Sequence, residues 1–172
     1  MSDASFYNLI EDRIVTLIKA VTVPSSSTLV FPADDQEAVR PWEGDSSNPK
    51  DGRARAVEIF RHGRARMARV AHLFDEGVPS EEGRIDVHAM FSVLIGASNF
   101  RPGEARRGGV TGLGINALSA WLIRALHNAS LGIGDATWWA DDITFVASSG
   151  LINEPNIVMR EMMFRVRLVP KA

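Results

Sequence analysis

Cysteine is absent from the 172 residues, which excludes disulfides, thiolate catalysis, Cys-ligated zinc and iron–sulfur clusters. An excess of either charge is nearly absent too, since 19 Lys and Arg stand against 21 Asp and Glu for a formal net charge of −2. A dedicated nucleic-acid binder carries a basic domain whose affinity rests on phosphate neutralisation, and this balance points away from that class. Long apolar runs are missing. The longest, around Ala89 to Ala97, falls far short of the ~20 residues of a membrane helix. Asn8, Glu11, Asp12, Arg13 and Lys19 interrupt any signal-peptide core near the start. The expectation is therefore no membrane partner, and a chain made in a cytoplasm that stays there or leaves by a route needing no signal.

Lysine is scarce as well, with three against sixteen arginines. A guanidinium suits planar, bidentate pairing at interfaces, although a GC-rich coding sequence yields the same bias. What remains is ordinary. With 45% hydrophobic and 23% charged residues, the composition is that of a globular chain, not a disordered one. A single domain over residues 1–172 is the default, large enough to bury roughly 70% of its unfolded surface without a metal or a disulfide.

Apolar spacing supplies the elements. Phe6, Leu9, Ile10, Ile14, Leu17, Ile18 and Val21 recur at threes and fours, predicting an amphipathic helix over 5–21. Ser2 or Asp3 caps its start and Pro24 marks its end. Leu29 to Phe31 reads as a short strand. Residues 32–52, rich in Pro, Gly, Asp and Ser and anchored by Trp42, read as a long irregular loop of the kind that serves a function or orders against a partner. Arg55 to His62 reads as a strand and Gly63 as a break. Ala65 to Leu73 fits a second hairpin strand or a short helix, and Asp75 to Gly83 an exposed turn.

The strongest alternation runs from Arg84 to Gly96, apolar on both faces in its second half, and predicts a central strand. Residues 99–114 read as a glycine-rich loop, and a helix is expected from Thr111 to Asn128, ended by Gly132 and Gly134. Strands over Asp142 to Ser148 and Val158 to Val169, joined by a turn at Gly150 to Pro155, should pair as an antiparallel hairpin. The sum is an α+β domain with a mostly antiparallel or mixed sheet and two main helices packed on it.

Signatures of chemistry are few. His62, His72, His88 and His127 show no HxxxH spacing, and only Asp86 and His88 share a strand face, as a weak metal pair or a structural one. Gly112-Leu113-Gly114-Ile115-Asn116-Ala117 fits the dinucleotide pattern G-x-G-x-x-G/A and opens a helix. The pattern works only when a strand precedes it, and here a loop does. Asp141 and Asp142 read as a strand cap. No nucleophile elbow or P-loop is visible, so the expectation is no enzyme, no cofactor and no metal.

Six arginines, Arg53, Arg55, Arg61, Arg64, Arg66 and Arg69, fall between Arg53 and His72 with only Glu58 among them. They form either a solvated face or a surface complementary to acids on a neighbouring copy, such as Asp34, Asp35 and Glu37 or Asp75, Glu76, Glu81 and Glu82. With Trp42, Arg106 and Arg107 they are the candidate subunit-interface residues.

The helix ending Leu17-Ile18-Lys19-Ala20, the apolar strand before a glycine-rich stretch, the helix from Gly109-Val110-Thr111-Gly112-Leu113 to Leu126, and the closing Met163-Phe164-Arg165-Val166-Arg167-Leu168 strand together resemble the tail terminator, or tail completion, proteins of bacteriophages. The likeness is greatest to the minor tail proteins of Mu-like phages and prophages. It implies a ring, typically of six copies, that caps the tail tube, halts its growth and joins it to the head. The implied partners are further copies of the chain, the tail tube protein, the sheath, and a neck or head-completion protein, with genome DNA passing through without sequence-specific binding. The implied location is the head-proximal end of the tail in the virion, after assembly in the host cytoplasm. The alternatives are another neck, connector or baseplate adaptor role, or a small nucleotide-binding enzyme.

Overall fold

In α1, Asp3–Ala20, the residues Phe6, Ile10, Ile14 and Ile18 recur every fourth position and are all buried. Leu9, expected on the same stripe, turns outward at 44% exposure, so the packed face is narrower than the apolar spacing suggested. Lys19 occupies the last turn, where the negative end of the helix dipole favours a cation. The computed structural model describes residues 3–20, 66–79, 83, 85–98, 103–109, 114–153 and 157–171.

Five strands among these residues form one sheet: β1 (Arg66–Pro79), β2 (Ile85–Ser98), β3 (Ala129–Gly134), β4 (Trp138–Asn153) and β5 (Ile157–Pro170). Their order is β1-β2-β5-β4-β3, and every pairing is antiparallel. The sheet expected as antiparallel or mixed is thus wholly antiparallel, and β4 and β5 form the predicted hairpin. Between β2 and β5 the chain passes through α2 (Glu104–Arg107), α3 (Ile115–Leu126), β3 and β4.

Alternation decides which side chains face the core. Ala89, Phe91, Val93, Ile95 and Ala97 of β2 stand opposite Val166, Phe164, Met162, Arg160 and Val158 of β5. Their apolar members join one buried cluster with Phe6, Ile10, Ile14 and Ile18 of α1 and Ile115, Leu118, Leu122 and Leu126 of α3. Phe145 meets Phe164 edge-on, ring centroids 5.6 Å apart, a favourable aromatic arrangement. Met90 and Leu94 on the other face of β2 are also buried, as its apolar second half predicted.

Several expectations are corrected. Of the two alternatives at Ala65 to Leu73 the strand holds over 66–73, but β1 continues through Asp75 to Pro79 in place of the expected exposed turn. Among the described residues its partner is β2. The loop over 99–114 contains the single turn of α2. The helix expected from Thr111 to Asn128 is described as α3 over Ile115–Leu126, and it ends at His127. Gly132 and Gly134 lie in β3 instead of ending the helix. Asn128 makes the turn in the left-handed region, φ 62°, and donates its N–H to Ile143 O at 2.8 Å.

β4 is longer than expected and irregular, with register shifts between Ala140 and Ile143, Phe145 and Ala147, and Gly150 and Ile152. Asp141 and Asp142 therefore sit in a bulge within the strand instead of capping it. The expected strands at Leu29 to Phe31 and Arg55 to His62, the break at Gly63 and the loop over 32–52 lie outside the described residues.

Candidate functional site

A bulge in β1 brings together a polar cluster of His72, Asp75 and two residues of α1, Tyr7 and Glu11. His72 pairs with Phe91 and Phe74 with Met90, so Leu73 is an extra residue without a partner on β2. In a regular strand His72 and Asp75, three apart, would point to opposite faces. The additional residue restores Asp75 to the core-side face, opposite Ala89.

There the two side chains meet α1. Tyr7 stacks on the His72 ring, centroids 4.0 Å apart and planes 15° from parallel, and its hydroxyl donates to Asp75 Oδ2. His72 Nε2 lies 3.0 Å from Asp75 Oδ1, so the carboxylate is held from both sides. The His72 backbone N–H donates to Glu11 Oε1 at 2.6 Å. Two residues of α1 thus clamp the β1 bulge.

Tyr7 and Asp75 open onto a cavity of about 350 Å³, also lined by Phe6, Gly77, Val87, Trp138 and Leu168. Trp138 is positioned by the turn before it, where Asp135 Oδ1 accepts the N–H groups of Thr137 and Trp138, each at 2.7 Å. Those bonds hold the Asp135 carboxyl below its ordinary value of 3.8. The arrangement presents one oriented carboxylate among aromatic and aliphatic walls, which is chemistry for recognising a cationic group on an apolar stem.

The candidate interface arginines are dispersed. Trp42, Arg53, Arg55, Arg61 and Arg64 lie outside the described residues. Arg66 begins β1, opposite Ala97, and Arg69 stands opposite Leu94. Arg106 and Arg107 are exposed on α2, with Arg106 donating to Asn153 Oδ1. Asn153 pairs with Val158, which pairs with Ala97. The register therefore brings Arg66, Arg106 and Arg107 towards one end of the sheet, the end remote from Asp75.

Sequence reasoning missed Arg160. It points to the core-side face and donates to Ser119 Oγ at 2.9 Å and Asn116 Oδ1 at 3.1 Å, tying β5 to α3. The alternation of β5 places it on the face of Met162 and Phe164 and was the available signal. Tyr7 carried no such signal, because its partners are set by the bulge.

Asp86 and His88 share a face as expected, but Asp86 pairs with Arg167 at 3.0 Å. His88 Nδ1 is buried without a hydrogen-bond partner among the described residues. Burial first, then the Arg165 charge, lowers the His88 pKa below 6.5. No group of three or more His, Asp or Glu among the described residues is placed to hold a metal. His127 Nδ1 accepts the Phe145 N–H at 3.1 Å.

The glycine pattern acquires a packing reason at Gly114. A Cβ there would lie 2.2 Å from Gly108 N and 2.4 Å from Arg106 O, so glycine allows the end of α2 to press on the start of α3. The element described before it is α2, not the strand that a dinucleotide site requires. No helix among the described residues is long and apolar enough to cross a membrane. The chain matches no protein-family model, and no curated protein matches it.

Proposed function

We propose that this chain is a structural subunit of a bacteriophage-type tail, assembling head to tail into a ring that closes the tail tube and joins it to the neck. In this reading α1 and α3 form a two-helix layer on one face of the sheet, and the opposite ends of the strands meet neighbouring copies. The supporting observation is the charge polarity along the strand axis. Arg106 and Arg107 lie towards one end, beside Glu104, while Asp75 and Glu76 lie towards the other, where Asp86 is neutralised by Arg167 at 3.0 Å. A self-complementary pair of unlike surfaces is what heterologous contacts need, and such contacts close into a ring when the rotation permits.

The reading assigns no catalytic step to the chain and places it in the virion, at the head-proximal end of the tail. Its partners are further copies, the tail tube protein and a neck protein. Light scattering after size exclusion, with negative-stain microscopy of the chain alone and mixed with tail tubes, tests it. Rings of about six copies, or a cap at one tube end, are expected from the resemblance. A chain that stays monomeric in both settings and never decorates a tube end overturns it.

A further inference from the structure

We infer that the cavity beside Asp75 is a receptor for an arginine side chain, and that its occupant is Arg107 of a second copy of this chain. The inference rests on the self-assembling reading above and supplies the contact that reading leaves open.

The receptor side is specified by hydrogen-bond geometry. A carboxylate offers about four lone-pair sites. At Asp75, Oδ2 accepts from Tyr7 and Oδ1 is paired with His72, which leaves about one site on each oxygen. Two acceptors on adjacent oxygens, already fixed in orientation, match the parallel N–H pair of a guanidinium, whereas an ammonium is a point charge without that fork.

The walls agree. Phe6, Val87 and Leu168 offer aliphatic and aromatic surface to a methylene stem, and the rings of Tyr7 and Trp138 line the same cavity, where a planar cation stacks favourably. At about 350 Å³, the space lies near the bottom of the roughly 300–1,000 Å³ range of ligand sites, a size for one long side chain. Ile85, 72% exposed, lies beside the cavity residue Gly77, whose added Cβ would come 3.1 Å from it. Ile85 adds apolar surface at the cavity rim that a seated neighbour would cover.

The occupant is chosen by charge and by place in the fold, since Arg124 and Arg165 are exposed cations too, but of the three Arg107 is the one at the α2 end, remote from Asp75. Arg107 is exposed at the end of α2 and has no hydrogen-bond or ion-pair partner among the described residues, whereas Arg106 is engaged with Asn153. Within one copy Arg107 does not reach Asp75. Ala89, opposite Asp75, and Ala97, near the α2 end, are separated along β2 by about 27 Å at ~3.4 Å per residue. The pair can form only between copies, and it has the head-to-tail sense of a closing ring.

The absence of cysteine makes the test direct. Two preparations, Asp75→Cys and Arg107→Cys, are mixed under assembling conditions with a short bifunctional thiol crosslinker. A mixed dimer that exceeds the homodimer of either preparation alone is expected. In parallel, Arg107→Asp should weaken self-association on the order of tenfold or more, and Arg107→Asp combined with Asp75→Arg should restore it. Circular dichroism and melting confirm that each variant is folded. Rings that form normally with Arg107→Asp and give no mixed crosslink overturn the pocket assignment while leaving the ring reading intact. Absence of any assembly by the wild-type chain overturns both.

Discussion

Tyr7 lies flat against His72, and both hold the same carboxylate, that of Asp75. The contact joins the first turns of α1 to the bulge of β1, so the cavity wall and the helix–sheet junction are built from one set of side chains. Removing the Tyr7 hydroxyl with Tyr7→Phe keeps the stack and deprives Asp75 of one donor. The expected loss is about 1 kcal/mol in denaturant unfolding. In a double-mutant cycle with Asp75→Ala, a coupling indistinguishable from zero would show that the two groups do not support each other.

Gly114 separates the packing explanation of the glycine-rich stretch from a ligand-binding one. Gly114→Ala forces a Cβ against backbone atoms of Arg106 and Gly108, which cannot rotate away as a side chain would. A fall of about 1–3 kcal/mol in stability is expected, the usual range for overpacking. Unchanged melting would mean that α2 and α3 do not approach this closely.

His88 should give the protein a pH-dependent stability. Its folded pKa lies below the ordinary 6.5 because burial and the Arg165 charge disfavour the imidazolium. The unfolded chain therefore binds the proton more readily, and stability rises with pH across the interval from the folded pKa to 6.5. That contribution is fully present above pH 6.5 and is lost as the pH falls through the interval. His88→Gln should flatten the unfolding free energy over this range. A variant that retains the wild-type slope would assign it to other groups.

Phe164 is fully buried between the core of β2 and Phe145. Phe164→Ala should cost about 3–5 kcal/mol and expose the chain to proteolysis. Phe74 is 51% exposed, so Phe74→Ala should shift stability by no more than about 0.5 kcal/mol. Equal losses at the two sites would contradict the placement of the core.

The elements legible in advance were those whose periodicity is unbroken. β2 and β5 alternate cleanly, and α1 repeats its isoleucines at fours, so each declares a buried face through local spacing alone. The parts misread are those where alternation slips. Asp75 to Pro79 looked like a turn because acids and glycine are poor strand formers in isolation, yet β2 supplies a pairing partner for every one of those residues. The shift after Phe145 pairs Ala147 with Met163, one step out of the phase that regular alternation along the strand would give. The candidate interface was only partly legible. A run of arginines is visible in any sequence, whereas the strand register that carries Arg66 and α2 to the same end depends on long-range pairing.

The amino-acid sequence by itself determined the exclusion of sulfur chemistry, the near-neutral charge, the buried stripe of α1 and the inward faces of β2 and β5, since each follows from composition or from spacing between near neighbours. Tertiary structure alone decided that β5 enters between β2 and β4, that one additional residue at Leu73 turns Asp75 towards Tyr7, and that Gly114 must lack a side chain. All three depend on which distant strand or helix lies alongside. Local periodicity records which face of an element is apolar, but the neighbour against which that face is laid is chosen by the packing of the whole chain.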